Sequence, residues 1–504
     1  MPQSLWDKIL IFPFRKRILL IILAVTAIVT GASMWHRYIH IDDCLFGEEA
    51  YWLAKEGVVK VKSFEGILGL ENRTMVYHKL NILCGAAIIK LFGWSVYYFK
   101  LFTFAVYLLF FYVFYRFFRI FRDCYEDQRL LLIAVMLIFT SPLMVYLSFT
   151  YRPEILVMFF GFLSYFFLEN HLQDSRIKWL VFAGLSAGLA FFTHLNGMIF
   201  PIAGAVLLLF QRKYKSAFIF SAVAGLTCLL YTYDLWQGDN FEVFMYQIRN
   251  WPTLRFGKTY LGNNVLNFFT LKLMNLLNEH QRFFWSEKVT VFSIFFLGSL
   301  IIKFRTLRTK YRSLLIYTLT LIVALSLTGS HIAERYMMYY YPYMAIITAI
   351  AIISTFDHTR RYALKSAFVL LLALQFAFTT FQFVRIFRLN ADYPMIQAEV
   401  LSHIPDKDPK ILAPDEFIFN NIVDHRLLSY HALKYYQDDI PVILPQDSIL
   451  QRASCLRADY IVLDHFITHD DHYTWFKDGI IKTNPYYTEF LKDGDYIILK
   501  RINR

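Results

Sequence analysis

"RKRILLIILAVTAIVTGASMWHRYIHIDD", residues 15–43, decides how the rest of the chain is read. Three basic residues precede an apolar stretch from Ile18 to Trp35, and two aspartates, Asp42 and Asp43, follow it. As a helix that stretch is about 27 Å long, close to the roughly 30 Å hydrocarbon core of a bilayer. A secretory h-region is about 7–15 residues long and ends in small residues, whereas this stretch is longer and closes on Met34-Trp35. It therefore reads as a retained first span. The positive-inside rule then leaves the N-terminus in the cytoplasm and puts Asp42 and Asp43 outside.

The composition extends the same reading. Of 504 residues, 57% are apolar and 19% aromatic, far outside the soluble globular range. Further runs of spanning length lie at about 95–115, 130–150, 154–169, 179–193, 195–210, 216–233, 285–302, 313–330, 336–356 and 366–384, about 11 in all with the first. If these spans alternate, the basic loops at 116–122, 176–178, 212–215, 303–312 and 357–365 all fall in the cytoplasm, while Arg385 and Arg388 fall on the other side. The formal charge of +12 is spread over these loops, so topology accounts for it and a nucleic-acid partner is not needed.

"HKLNILCGAAIIKLFG" (78–93) is short, carries lysine at both ends, and as a twelfth span would invert every later loop. It is expected to lie along the outer interface with its lysine heads reaching water. Two longer stretches, 36–94 and 234–284, are placed outside. After about residue 390 the apolar runs shorten to strand length, as in "KILAPDEFIF" and "DYIILKR". The expected fold class is thus mainly α: a polytopic membrane domain over 1–388, and a small extracytoplasmic α/β domain over 389–504 with a hairpin turn at Asp493-Gly494. The five cysteines show no CxxC spacing, which implies neither a disulfide framework nor a zinc site. No P-loop or GxGxxG motif supports cytosolic ATP chemistry.

On this topology the unusual polar residues converge on the outer boundary. Asp42, Asp43, Glu48 and Glu49 follow the first span; His78 and Lys79 begin the interfacial helix; Arg152 and Glu154 open the fourth span. His194 turns between the fifth and sixth, and His331, Glu334 and Arg335 open the tenth. Ionisable groups at a membrane boundary are costly unless paired or hydrated, so such a set points to a site. Each member also has a structural reading: the first acids would cap a helix, the lysines would snorkel, and Arg152–Glu154 or Glu334–Arg335 would be a local salt bridge. Together they supply carboxylates able to take an acceptor's proton or hold a divalent metal, and cations able to neutralise a phosphate leaving group.

Five segments carry a resemblance: the acidic loop leading into "EEAYWLAKEG", then "HKLNILCGAAIIKLFG", "SPLMVYLSFTYRPEILVMFF", "GLSAGLAFFTHLNGMIF" and "ERYMMYYYPYMAIIT". In this order, over about residues 15–385, they resemble the GT-C superfamily of polytopic glycosyltransferases, in the branch of bacterial lipid A aminoarabinose transferases and protein O-mannosyltransferases. The resemblance implies an enzyme of the bacterial inner membrane that takes a sugar from a polyprenyl-phosphate donor. Transfer would go, with inversion and on the extracytoplasmic side, to a lipid, glycan or protein hydroxyl. It implies that Asp43 or its neighbour Asp42 is the base and that Glu154 is the second acid. Lys79, Arg335 and Arg152 would meet the donor phosphate, Glu48, His194 and Glu334 would bind substrate, and His78 and Glu49 would hold a divalent metal ion, if one is used. The chain departs from the family where Lys79-Leu80-Asn81 replaces a lysine followed by two prolines, and where His194 replaces a common lysine. Two other function classes fit a chain of this composition: a transporter or flippase of lipid-linked sugars, which calls for ionisable residues near mid-span and repeated halves, and a non-catalytic scaffold with a binding tail.

Overall fold

The computed structural model describes residues 10, 14–121, 125, 127–251, 265–329, 332–358, 361–388, 393–430, 446–463, 484–493 and 496–502. From the N-terminus, α1 (Lys16–Ala32) leads through a tight turn to α2 (Ile41–Glu56), and after an irregular stretch α3 (Lys79–Phe92) packs back on α2. There follow α4 (Val96–Ile120), α5 (Gln128–Phe139), the short α6 (Pro142–Leu147), α7 (Pro153–Asp174), α8 (Ile177–Thr193), α9 (Ile199–Phe210) and α10 (Tyr214–Cys228). Then come α11 (Asn240–Asn250), α12 (Val265–Asn278), α13 (His280–Phe283), α14 (Glu287–Lys310), α15 (Arg312–Thr328), α16 (Tyr341–His358) and α17 (Tyr362–Arg388).

Apolar helices stand at all the positions where the hydropathy predicts spans. Six segments, built on α1, α4, α7, α10, α14 and α17, are long and apolar enough to cross a membrane; α5, α8, α9, α15 and α16 are shorter. The chain is a multi-pass membrane protein. The expected continuous span over 130–150 is broken, because Pro142 cannot donate to the preceding turn and starts α6 at its first position. The carbonyls freed at the break are taken up by distant side chains. Gln375 Nε2 of α17 donates to Leu137 O at 2.9 Å, Thr379 Oγ1 donates to Thr140 O, and Arg37 Nη1 donates to Tyr146 O at 3.0 Å.

The helix ends sort onto two faces. On one, Lys16 Nζ meets Gln128 Oε1 at 3.0 Å, Arg129 joins Asp127 and Asp357, and His171 bridges Arg176 O and Ser216 Oγ. The opposite face carries α2, α3 and the C-terminal sheet. Between the faces, α16 is buried through most of its length, packed against α5 and α14.

Beyond α17, α18 (Tyr393–Ser402), β1 (Lys410–Ala413), α19 (Asp415–Asn421), β2 (Arg426–Ser429), α20 (Gln446–Cys455), β3 (Tyr460–Leu463), β4 (Tyr487–Asp493) and β5 (Tyr496–Arg501) complete the chain. The sheet order is β2-β1-β3-β5-β4; β1 runs parallel to both β2 and β3, and β5 antiparallel to β3 and β4. The strands β4 and β5 are the expected final hairpin arms, while Gly494 of the expected turn lies outside the described residues. Cys44, Cys84, Cys228 and Cys455 are unpaired thiols, and Cys124 lies outside the described residues.

This α/β part shares a core with the first external stretch. Tyr51 and Trp52 of α2 pack with Val400, Ile411, Phe417 and Ile498 in one apolar cluster. Trp94 stacks on Phe419 of α19 with ring centroids 4.3 Å apart, and its Nε1 donates to Phe419 O at 2.7 Å. The Phe419 ring lies so close to Gly47 that a β-carbon there would stand 2.4 Å from Phe419 Cε2. Replacing Gly47 by Val should therefore lower stability in detergent by about 1–3 kcal/mol, the usual cost of overpacking. Adding Phe419→Ala should recover part of that loss, so a thermal-melt double-mutant cycle that came out additive would separate the two sites.

Candidate functional site

The geometry of the site begins with a helix cap. His40 Nδ1 accepts the amide of Asp42 at 3.1 Å while Asp43 Oδ2 accepts the amide of His40 at 2.8 Å, a reciprocal box that fixes the first turn of α2. The second oxygen of Asp43 takes the amide of Tyr151, and the side chain is buried. Burial pushes the Asp43 carboxyl up, against the pull of His40 and the two amides. Asp42 lies about 100° round the helix from Asp43. It faces a cavity of about 550 Å³ that is also lined by His40, His78, Arg152, His194, Arg335 and Asp415. Phe64, Ile67, Leu70 and Trp251 cover the apolar part of its wall.

Arg152 is the residue before Pro153, which holds it extended at φ −139°, ψ 149° and sends its side chain across the start of α7. Its guanidinium ion-pairs with Asp42 on one side and is bidentate with Glu154 on the other, Nε to Oε2 at 3.0 Å and Nη2 to Oε1 at 2.8 Å. Glu154, 1% exposed, sits in the first turn of α7, where the helix dipole favours an anion. Arg335 Nε lies 3.5 Å from Glu154 Oε1 and the side chain is 36% exposed, against 7% for Arg152. Arg335 is the more accessible cation of the cavity. The backbone before it is tied down by Arg282, which donates to Ala333 O at 3.1 Å and pairs with Glu279 at 2.8 Å.

His78 and His194 stack at 4.4 Å with an interplanar angle of 16°, and Phe46 meets His78 edge-on at 4.9 Å. His194 Nδ1 accepts the amide of Asn196 at 2.9 Å. Burial pulls His78 down to about 4 and holds His194 well below its ordinary value, so the stacked rings are neutral and need not repel. His40 is drawn down to about 4 by burial and then by Arg152.

Other residues singled out in the sequence stand off the cavity. Lys79 is buried and paired with Asp234, which also accepts Tyr77 Oη at 2.6 Å; Tyr77, Tyr231 and Tyr233 close round the ammonium. Burial pushes that ammonium down, opposed by Asp234. Tyr77 and Tyr231, not Lys79, line the cavity. Glu48 is buried and holds the 61–70 stretch by accepting from Ser63 N at 3.1 Å and Ser63 Oγ, and also accepts from Trp52 Nε1 of its own helix at 3.0 Å. Glu334 accepts from Ser286 and from Lys288 Nζ at 3.2 Å, which ties the start of α14 to the turn before α16. His331 lies outside the described residues.

Glu49 is buried with Oε2 unpartnered, inside α2, whereas His78 faces the cavity. Glu49 does not line the cavity that His78 faces, so the two do not share a site; among the described residues no three His, Cys, Asp or Glu side chains converge as a cation site. Three residues of the site were not singled out in the sequence. His40 was visible as the residue before the acids, and Asp234 as the acid ending "YTYD"; Asp415 had no signal beyond its place at a helix start.

Residues 83–236 match the family of dolichyl-phosphate-mannose-protein mannosyltransferases. No curated protein matches the whole sequence. Among solved structures, ArnT from Cupriavidus metallidurans bound to undecaprenyl phosphate is 11% identical with a TM-score of 0.54, over 96% of this chain and 98% of that one. The apo state of the same protein is 12% identical with a TM-score of 0.56, over 96% and 97%. The archaeal oligosaccharyltransferase AglB from Archaeoglobus fulgidus, in complex with an inhibitory peptide and a dolichol-phosphate, is 14% identical with a TM-score of 0.54, over 88% and 69%. At these identities the likeness is one of fold.

Burial and the neighbouring Glu48 hold the Glu49 carboxyl well above the usual carboxylate range. A carboxyl raised in the folded state binds its proton more tightly there, so the wild-type protein loses stability as pH rises above about 4.3, the unfolded value. Glu49→Gln removes that loss. Its thermal midpoint relative to wild type should climb between pH 4.5 and pH 8; a difference independent of pH would show that Glu49 is not held protonated.

Proposed function

We propose that this chain, which has the fold of the GT-C glycosyltransferases, is an inverting glycosyltransferase that moves a sugar from a polyprenyl-phosphate donor to a hydroxyl acceptor on the extracytoplasmic side of a bacterial plasma membrane. The observation that carries this reading is a single cavity, at the end of the helices opposite the basic loops, that brings the Asp42 carboxylate beside the Arg152 and Arg335 guanidinium groups. The match to dolichyl-phosphate-mannose-protein mannosyltransferases and the polyprenyl phosphates described in the similar structures support the same donor class.

In this mechanism Asp42 takes the proton of the acceptor hydroxyl as its oxygen attacks the anomeric carbon. The bond from that carbon to the phosphate oxygen breaks, and the phosphate leaves with the electron pair. Arg335, the more open cation, meets the developing phosphate charge first. Arg152 can turn part of its hydrogen bonding to the same phosphate, which loosens its hold on Asp42 as the base is needed. Glu154 keeps both guanidinium groups in place. Asp43 sets the helix turn that aims Asp42, and Lys79, engaged by Asp234, shapes the wall through Tyr77. No step is assigned to a divalent ion.

The test compares cells lacking the gene with cells carrying it, by mass spectrometry of envelope lipids and glycans, to find the missing sugar and the accumulating lipid-linked precursor. Asp42→Asn should then cut transfer by about 10²–10⁴-fold, the usual contribution of a general base, with little change in thermal midpoint. Asp43→Asn should instead lower the midpoint and yield while sparing the rate per folded molecule. Full transfer by Asp42→Asn would remove it from the mechanism, and an unchanged envelope in cells lacking an expressed gene would remove the transferase reading itself.

A further inference from the structure

We propose that the C-terminal domain forms one wall of the acceptor site and that Asp415 binds a hydroxyl of a saccharide acceptor; this rests on the transferase reading above. Although Asp415 lies far along the chain from the polar residues of the membrane domain, it and Ile418 line the same cavity as Asp42 and Arg152. Its position is built, not incidental. The helix α19 is seated on α2 by the contact of Phe419 with Gly47 and by the Trp94–Phe419 stack, so the helices that carry Asp415 and Asp42 pack directly together. From behind, Ser429 of β2, fully buried, donates its hydroxyl to Asp415 Oδ1 and fixes the carboxylate. Cys44, two residues beyond Asp42 and also on the cavity wall, lies within the electrostatic reach of Asp415.

The chemistry of the walls then separates donor from acceptor. Arg152, Arg335 and the His78–His194 stack lie together and suit a phosphate. Asp415 lines the same cavity from the C-terminal domain, and Phe64 and Trp251 pack together in the neighbouring apolar cluster. A carboxylate accepts hydrogen bonds from hydroxyls, and an aromatic face covers the CH face of a sugar ring. An acceptor that gives one hydroxyl to Asp42 and a second to Asp415 must carry at least two hydroxyls on one rigid frame. A serine or threonine side chain has one, so a saccharide fits the pair better than a protein hydroxyl.

The experiment uses the full chain, in cells lacking the gene and in detergent. Asp415→Asn should leave binding of undecaprenyl phosphate and the thermal midpoint unchanged, lower the envelope glycan product at least tenfold, and raise KM for the acceptor more than it lowers kcat; Asp415→Glu should recover part of the product. Identification of the modified acceptor as a saccharide is the matching result. Unchanged product with Asp415→Asn, loss of undecaprenyl phosphate binding together with product, or a modified serine or threonine would each overturn the proposal. Asp42→Asn measured alongside keeps the two readings apart. If that variant loses transfer and Asp415→Asn does not, only the acceptor assignment fails; if it keeps transfer, the catalytic reading fails first.

Discussion

The site depends on the bridging of Arg152 between Asp42 and Glu154. A guanidinium and two carboxylates at a membrane boundary are costly singly, and together they offset one another's loss of water. Pro153 fixes where Arg152 starts, the first turn of α7 fixes Glu154, and the cap of α2 fixes Asp42. Three backbone devices from separate parts of the chain thus meet in one ion network, with Arg335 at its open edge. The cavity takes its polarity from that network, cationic towards α7 and the turn before α16, and carboxylate-bearing towards α2 and α19.

Around it, other ionisable groups are each engaged by partners of their own. Glu48 holds the 61–70 stretch, Glu334 ties α14 to the turn before α16, and Lys79 is closed in by Asp234 and three tyrosines. These contacts give the cavity its shape, which a catalyst needs as much as it needs reactive groups: side chains held by their own partners keep the walls within the tolerance that positioning demands. The α/β part acts in the same way. Its core merges with α2 through Tyr51, Trp52 and Phe419, so it is a rigid wall and not a tethered module.

How much of this could be read in advance varies by residue. The spans were legible because an apolar run and the charges that bound it are contiguous, whereas the break at Pro142 lies inside a stretch read as one continuous span. That Asp42, Arg152, His78, His194 and Arg335 share one side of the membrane followed from alternation alone, and they do line one cavity. The choice between Asp42 and Asp43 was not legible, since adjacent carboxylates look alike in sequence while a rotation of about 100° separates cavity from core. The resemblance gave Glu48 to substrate and Glu49 to a metal ion, while in the structure α2 is sandwiched between α3 and α19 and both carboxyls are buried.

By itself the sequence determined that this is a multi-pass helical membrane protein with a small α/β end, and on which side its unusual charges gather, because hydropathy and loop charge are properties of neighbouring residues. Only the tertiary structure decided which of those charges face the cavity, that Asp234 engages Lys79, and that Asp415 joins the site. Each of those outcomes depends on partners brought together from separate helices, and the pairing of a buried charge is settled by what packs against it and not by what precedes it in the chain.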